Sequence, residues 1–155
     1  MTRPHEAPVG ATTEWYTPPE FFDRLRLTFD LDPASPGADV VPWVPADRHY
    51  TRADDGLSRP WSGRVWLNPP YGPEAGAFID RMLDHGYGLL LIPARTETAN
   101  FQRSARSASA VCFLRDRLHF IRDDGTQGRA AFASVLMVFG MRHVALDHLG
   151  WTVTR

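Results

Sequence analysis

Asn68-Pro69-Pro70-Tyr71 is the segment of this chain best suited to chemistry. It closes the apolar run Val65-Trp66-Leu67 and stands just before a predicted helix. An amide oxygen, a proline carbonyl and an aromatic ring at the end of a strand suit the gripping of a planar amine. Such an amine, on adenine or cytosine, is a poor nucleophile because its lone pair is delocalised into the ring. Two acceptors aimed at its two N–H bonds favour a pyramidal nitrogen and localise that pair. The Asn68 side-chain oxygen supplies one acceptor. The Pro69 carbonyl supplies the other, because it lies past the strand and need not enter the ladder. Pro70 biases Pro69, and Pro69 biases Asn68, toward extended backbone. The acceptors are thereby set before substrate arrives, which is where most electrostatic catalysis originates. Tyr71 can stack on the ring, worth roughly 1–3 kcal/mol. Methyl transfer to such an amine needs no strong general base, since the methylated ammonium product loses its proton readily. A rigid turn with a core tyrosine is the competing use of the same residues.

The elements that must position this segment follow from patterning. Thr17-Pro18-Pro19-Glu20 predicts a helix start, with Thr17 capping, Pro18 first in the helix and Glu20 completing a capping box. Phe21, Phe22 and Leu25 line one face of that helix. Leu27 to Leu31 alternates as a strand and ends at Asp32-Pro33-Ala34-Ser35. Residues 36–64 are rich in Pro and Gly, with a short strand expected at Asp39-Val40-Val41. Residues 65–67 form the strand before Asn68. Phe78, Ile79, Met82 and Leu83 stripe a helix from Glu74 to His85, with Gly86 as its C-terminal cap. Tyr87–Ile92, Ala110–Leu114 and Ser134–Phe139 read as buried strands. Thr96–Ser107 reads as a polar helix, Leu118–Ile121 as an edge strand and residues 122–130 as a polar loop. Strand and helix alternate, so an α/β fold with helices on both faces of the sheet is expected. Asp32 and Asn68 then fall at carboxyl ends of strands, where ligands of such sheets sit.

Composition sets bounds. A chain of 155 residues with 43 % apolar and 23 % charged content is expected to form one soluble domain over residues 14–155. Residues 1–13 are expected to be a flexible tail. The single cysteine, Cys112, excludes disulfides and a cysteine-based metal site, and no metal is expected. No apolar run is long enough to span a bilayer and no signal peptide is visible, so the expected location is the cytoplasm. Net charge is −1, and all 17 basic residues are arginine. Arginine suits phosphate and guanine recognition, and Arg95, Arg103, Arg106, Arg115, Arg117, Arg122 and Arg129 gather in the second half.

Several segments appear in an order that resembles one family. They are Trp15-Tyr16-Thr17-Pro18, Asp30 to Ser35, Asp55-Gly56-Leu57 with Trp61, Asn68 to Tyr71, Leu91 to Thr98 with Phe101, and Arg117 to Phe120. Across residues 14–139 the chain resembles the phage-type DNA N6-adenine methyltransferases of the Dam class. The resemblance implies a compact, Rossmann-like class I methyltransferase sheet, S-adenosylmethionine as cofactor and adenine N6 in DNA as target. It implies Asn68, Pro69, Pro70 and Tyr71 as the catalytic segment. It implies Trp15, Thr17, Asp32 and Asp55 at the cofactor, with Asp54 an alternative to Asp55. Arg117 and Phe120 match the later motif bordering the target-base pocket. Arg95, in a turn after a buried strand, is expected to meet substrate or phosphate. The chain departs from many methyltransferases after its first strand, where Asp32-Pro33-Ala34-Ser35-Pro36-Gly37 replaces a glycine-rich loop. Asp39 and Asp47 are both candidates for the ribose-binding acid.

An adenine in duplex DNA must leave the stack to reach such a pocket. With no separate recognition domain, residues 96–108 and 115–131 are the segments expected to read DNA. The protein is expected to be a monomer or weak dimer, encoded by a phage or prophage. The same segment also suits methylation of an RNA base or a protein glutamine, and the missing glycines suit a non-catalytic nucleic-acid-binding relic.

Overall fold

A computed structural model describes residues 14–155. The expected tail, residues 1–13, lies outside the described residues. In chain order the elements are β1 Trp15–Tyr16, α1 Pro19–Leu25, β2 Phe29–Asp32, β3 Ala46–His49, β4 Val65–Leu67, α2 Ala75–His85 and β5 Gly88–Pro93. They continue as α3 Ala99–Ser107, β6 Ala110–Leu114, β7 His119–Arg122, β8 Gln127–Arg129, β9 Ser134–Phe139 and β10 Gly150–Thr154.

Seven strands form one sheet in the order β10-β6-β9-β5-β4-β2-β3. The β3-β2-β4-β5 block is parallel, and β9 joins it antiparallel, between β5 and β6. The centre is apolar on both faces because β4, β5 and β9 carry consecutive apolar residues, Val65–Leu67, Leu89–Ile92 and Val135–Phe139. Trp66, Leu89, Leu91, Leu136 and Val138 face α1. Leu67, Leu90, Ile92, Val135 and Met137 face α2 and α3. The rings of Phe21 and Phe22 on α1 lie 5.8 and 4.9 Å from Trp66. Phe78, Ile79, Met82 and Phe101 cover the opposite face. Helices therefore lie on both faces, as expected.

Several local expectations are corrected. Thr17 does not cap α1; Pro18 occupies the cap position, without a side-chain hydrogen bond. β2 starts at Phe29 rather than Leu27, after Arg26 turns the chain in the left-handed region (φ 55°). Asp39-Val40-Val41 is a turn, not a strand, with the Val40 and Val41 amides both donating to the Gly37 carbonyl. The neighbouring strand is instead β3, a polar edge strand without apolar alternation. β7 is not an edge strand: it lies at the centre of a second, three-stranded sheet, β1-β7-β8. Residues 122–130 thus contain β8 rather than loop alone. α3 begins at Ala99, where Thr98 Oγ1 accepts from the Phe101 amide at 3.2 Å.

From β2 the main sheet grows one way to β3 and the other way to β4 and β5. This reversal separates Asp32, the last residue of β2, from Asn68, which follows β4. Ligands of open α/β sheets sit in the crevice beyond such a reversal.

Candidate active site

A cavity of about 400 Å³ opens at that point. Its walls bring together Trp15, Thr17, Asp32 and Asp55 with all of Asn68 to Tyr71. Four separate stretches of chain meet there, so their convergence is a property of the fold and not of any local pattern.

The Asn68 side chain is fixed at its nitrogen. Nδ2 donates to the Trp15 carbonyl and to Thr17 Oγ1, each at 3.2 Å. A carbonyl can only accept, so the Trp15 contact assigns nitrogen and oxygen of the amide without ambiguity. Both N–H bonds are thus engaged, and Oδ1 is the atom left to accept from a ligand. The Thr17 backbone is held in turn by Trp43, whose Nε1 donates to the Thr17 carbonyl at 2.9 Å. Beside Asn68, Tyr71 is 43 % exposed, a ring available for stacking.

Asp32 is buried at 5 % exposure. Its Oδ1 accepts from the Ala34 amide at 3.2 Å. Among the described residues no cation is paired with it, and the forces on its proton are burial and the Ala34 N–H. Burial raises its pKa to about 7, against a smaller lowering from the Ala34 N–H. A carboxyl so placed is matched to a ligand ammonium. The loop after β2 is stapled to the end of β3: Tyr50 N donates to Asp32 O, and Ser35 N donates to Tyr50 O. Ser35 Oγ and His49 Nδ1 lie 2.7 Å apart, and burial lowers the His49 pKa.

The opposite wall separates the two acidic candidates. Asp54 Oδ2 accepts from the Thr51 amide and hydroxyl at 2.9 and 3.0 Å, which closes a turn and lowers its pKa. Asp55 is the one that lines the cavity. Gly56 follows it because a Cβ there would collide with the Pro33 carbonyl. Trp61 Nε1 donates to the Gly56 carbonyl at 2.7 Å and pins this close approach. Neither Asp39 nor Asp47 lines the cavity.

The other expected site residues lie elsewhere. Arg95 sits across the Glu97 carboxylate and 5.2 Å from the Phe132 ring centroid. Arg117 lines a second cavity of about 300 Å³ beside α1. Phe120 is buried at 3 % exposure in the core, not at the cavity surface, with its ring edge-on to Trp15. Glu14, Tyr16, Tyr50, Arg52 and Glu74 line the main cavity and were not singled out from sequence. Tyr16 donates to Glu14 Oε2 at 2.8 Å, and burial, reinforced by that carboxylate, raises its pKa. The available signal was their position: Glu14 and Tyr16 flank Trp15, Tyr50 and Arg52 come shortly before Asp55, and Glu74 follows Tyr71. No cluster of metal-ligating side chains occurs among the described residues. No helix there is long and apolar enough to cross a membrane.

The family model described as DNA N-6-adenine-methyltransferase (Dam) matches residues 6–150. The match covers nearly the whole chain, and the chain belongs to that family. No curated protein and no solved structure matches.

Proposed function

We propose that this member of the Dam family transfers the methyl group of S-adenosylmethionine to N6 of an adenine flipped out of DNA. Family membership implies DNA adenine methylation in general. The observation that carries the finer reading is the Asn68 amide, tied at nitrogen to Trp15 and Thr17 with its oxygen left for a substrate N–H.

In this reading Asn68 Oδ1 and the Pro69 carbonyl accept from the two N–H bonds of the amine, and Tyr71 stacks on the base. Concentrating the lone pair on nitrogen aligns it for in-line attack on a methyl carbon. When bound, the cofactor would supply an electrophilic sulfonium methyl and leave as the neutral thioether, while Asn68 and Pro69 hold the amine that would take the methyl and give its proton to water. The cavity fits that cofactor on two counts. Its buried, uncompensated Asp32 suits the ammonium of the methionine end. Its volume suits a nucleoside-sized ligand, with Asp55, Trp15 and Thr17 on the walls. The sheet reversal between β2 and β4, the parallel centre and the inserted antiparallel β9 support the Rossmann-like class I assignment. We place the activity in a single domain over residues 14–155, with Arg95, Arg117 and their neighbours toward DNA.

The test is incubation of the protein with labelled S-adenosylmethionine and, separately, DNA, RNA and protein. Label is expected in DNA adenine. Asn68→Ala is expected to lower turnover by about 10²–10³-fold, the usual effect of losing a preorganised polar group, while cofactor affinity changes little. Label in RNA or protein alone would reassign the substrate, and full activity of Asn68→Ala would remove the mechanism.

A further inference from the structure

The peptide that orients Asn68 is itself held from the side by the small sheet. β1 is only two residues long. It pairs with β7 through Trp15↔Arg122 and Tyr16↔Ile121. So short a strand has few ladder hydrogen bonds, and side-chain packing must fix its position. That packing centres on the Trp15 ring. The Arg122 guanidinium lies over it, 4.9 Å from the ring centroid. Phe120 meets it edge-on at 6.3 Å. On β8, Gly128 leaves the space the ring and guanidinium occupy: a Cβ there would stand 2.8 Å from Trp15 Cζ3 and 2.8 Å from Arg122 Nη2.

We propose that the β7–β8 hairpin, through Arg122 and Gly128, positions the Asn68 amide by clamping Trp15. The ring is gripped by the hairpin, and the carbonyl of the same residue accepts from Asn68 Nδ2. A shift of the ring carries that carbonyl with it and releases the amide to rotate. Arg122 and Gly128 touch neither substrate nor cofactor in this role; they act through Trp15. The inference rests on Asn68 being the amine acceptor for its effect on turnover, but not for its effect on the amide itself.

Arg122 also has the charge to meet a DNA phosphate, so the decisive variant is Gly128→Ala, which removes no charge. The Asn68 side-chain amide of the full-length 15N-labelled protein is followed by NMR and assigned by its loss in Asn68→Asp. In the wild type its two Nδ2 protons are expected to be separated in shift and slow to exchange with water. In Gly128→Ala they are expected to move toward the positions of a free amide. Turnover is expected to fall about tenfold or more, with the KM for DNA and its salt dependence within about twofold of wild type. Arg122→Met, which still covers the ring without charge, is expected to keep the Asn68 resonances. If Gly128→Ala does not fold, Arg122→Ala, which uncovers the ring, takes its place with the same expectation for the Asn68 resonances, and its turnover and DNA affinity are compared with those of Arg122→Met, which loses the same charge but keeps the ring covered. A folded variant with wild-type Asn68 resonances would overturn the clamp. Shifted resonances with unchanged turnover would support the clamp and instead remove the catalytic reading of Asn68.

Discussion

A side-chain amide has two ends, and the fold uses one end of Asn68 to aim the other. Thr17 holds that end alongside the Trp15 carbonyl. Thr17→Val keeps the volume and removes the acceptor, so turnover is expected to drop roughly tenfold, as for one lost hydrogen bond. Single-turnover kinetics measures this. Asp32 carries the pH dependence. Its pKa is raised from 3.8 to about 7 by burial, so the folded state holds the proton more tightly than the unfolded chain. The Asp32 contribution to stability therefore falls as pH rises from about 4 to about 7, by on the order of 4 kcal/mol, and is then level. Asp32→Asn is expected to raise the melting temperature at pH 8 and to change it little at pH 4. The same proton opposes pairing with a ligand ammonium. Cofactor affinity in the wild type is expected to weaken about tenfold per pH unit below about 7, and calorimetry should show this dependence lost in Asp32→Asn. The segment Asn68 to Tyr71 was legible because its chemistry is local. Thr17 was misread as a helix cap because Thr-Pro-Pro-Glu has the local form of one, whereas its bond to Asn68 spans 51 positions.

At the scale of elements, close approaches decide the site. Gly56 lets the Asp55 loop press on the Pro33 carbonyl beside Asp32. Gly56→Ala must part these two walls, and is expected to weaken cofactor binding more than tenfold while leaving the sheet intact by circular dichroism. Gly88 opens β5 at φ 140°, where a Cβ would collide with the Val65 carbonyl of β4. Gly88→Ala is expected to cost roughly 1–3 kcal/mol or more in denaturant unfolding, because strain and overpacking add. Of the strands that were legible, β4, β5, β6 and β9 lie within the main sheet and are rich in apolar residues, and β2 and β7 were legible with shifted ends. Those that were missed have weaker local signals. β3 and β10 lie on the two edges of the main sheet, with Trp151 of β10 72 % exposed, and β1 and β8 on the edges of the small one. Edge strands face solvent and need no apolar alternation, so the sequence around them reads as loop. The second arm of the hairpin over Trp15, β8, was hidden for that reason.

For the molecule as a whole, two apolar clusters on opposite faces of one sheet enclose a cavity at its reversal point. The α/β alternation and the helices on both faces were legible because they follow from residue patterning. The joining of four distant stretches around the cavity was legible only through the order of motifs. Arg106 on α3, Arg115 and Arg117 before β7, and Arg129 on β8 are all exposed, so cations are available to DNA despite a net charge of −1. Arg117→Ala is expected to weaken binding to all DNA sequences alike and to lower the slope of log affinity against log salt by about one. The central claim is that this domain methylates DNA adenine through Asn68. Its most direct test is methylation-sensitive sequencing of DNA from a methylation-free host expressing either the wild type or Asn68→Ala. The account predicts N6-methyladenine at a recurring sequence with the wild type and none with Asn68→Ala. Unmethylated DNA in a host making folded wild-type protein, or the same methylation with both, would contradict it.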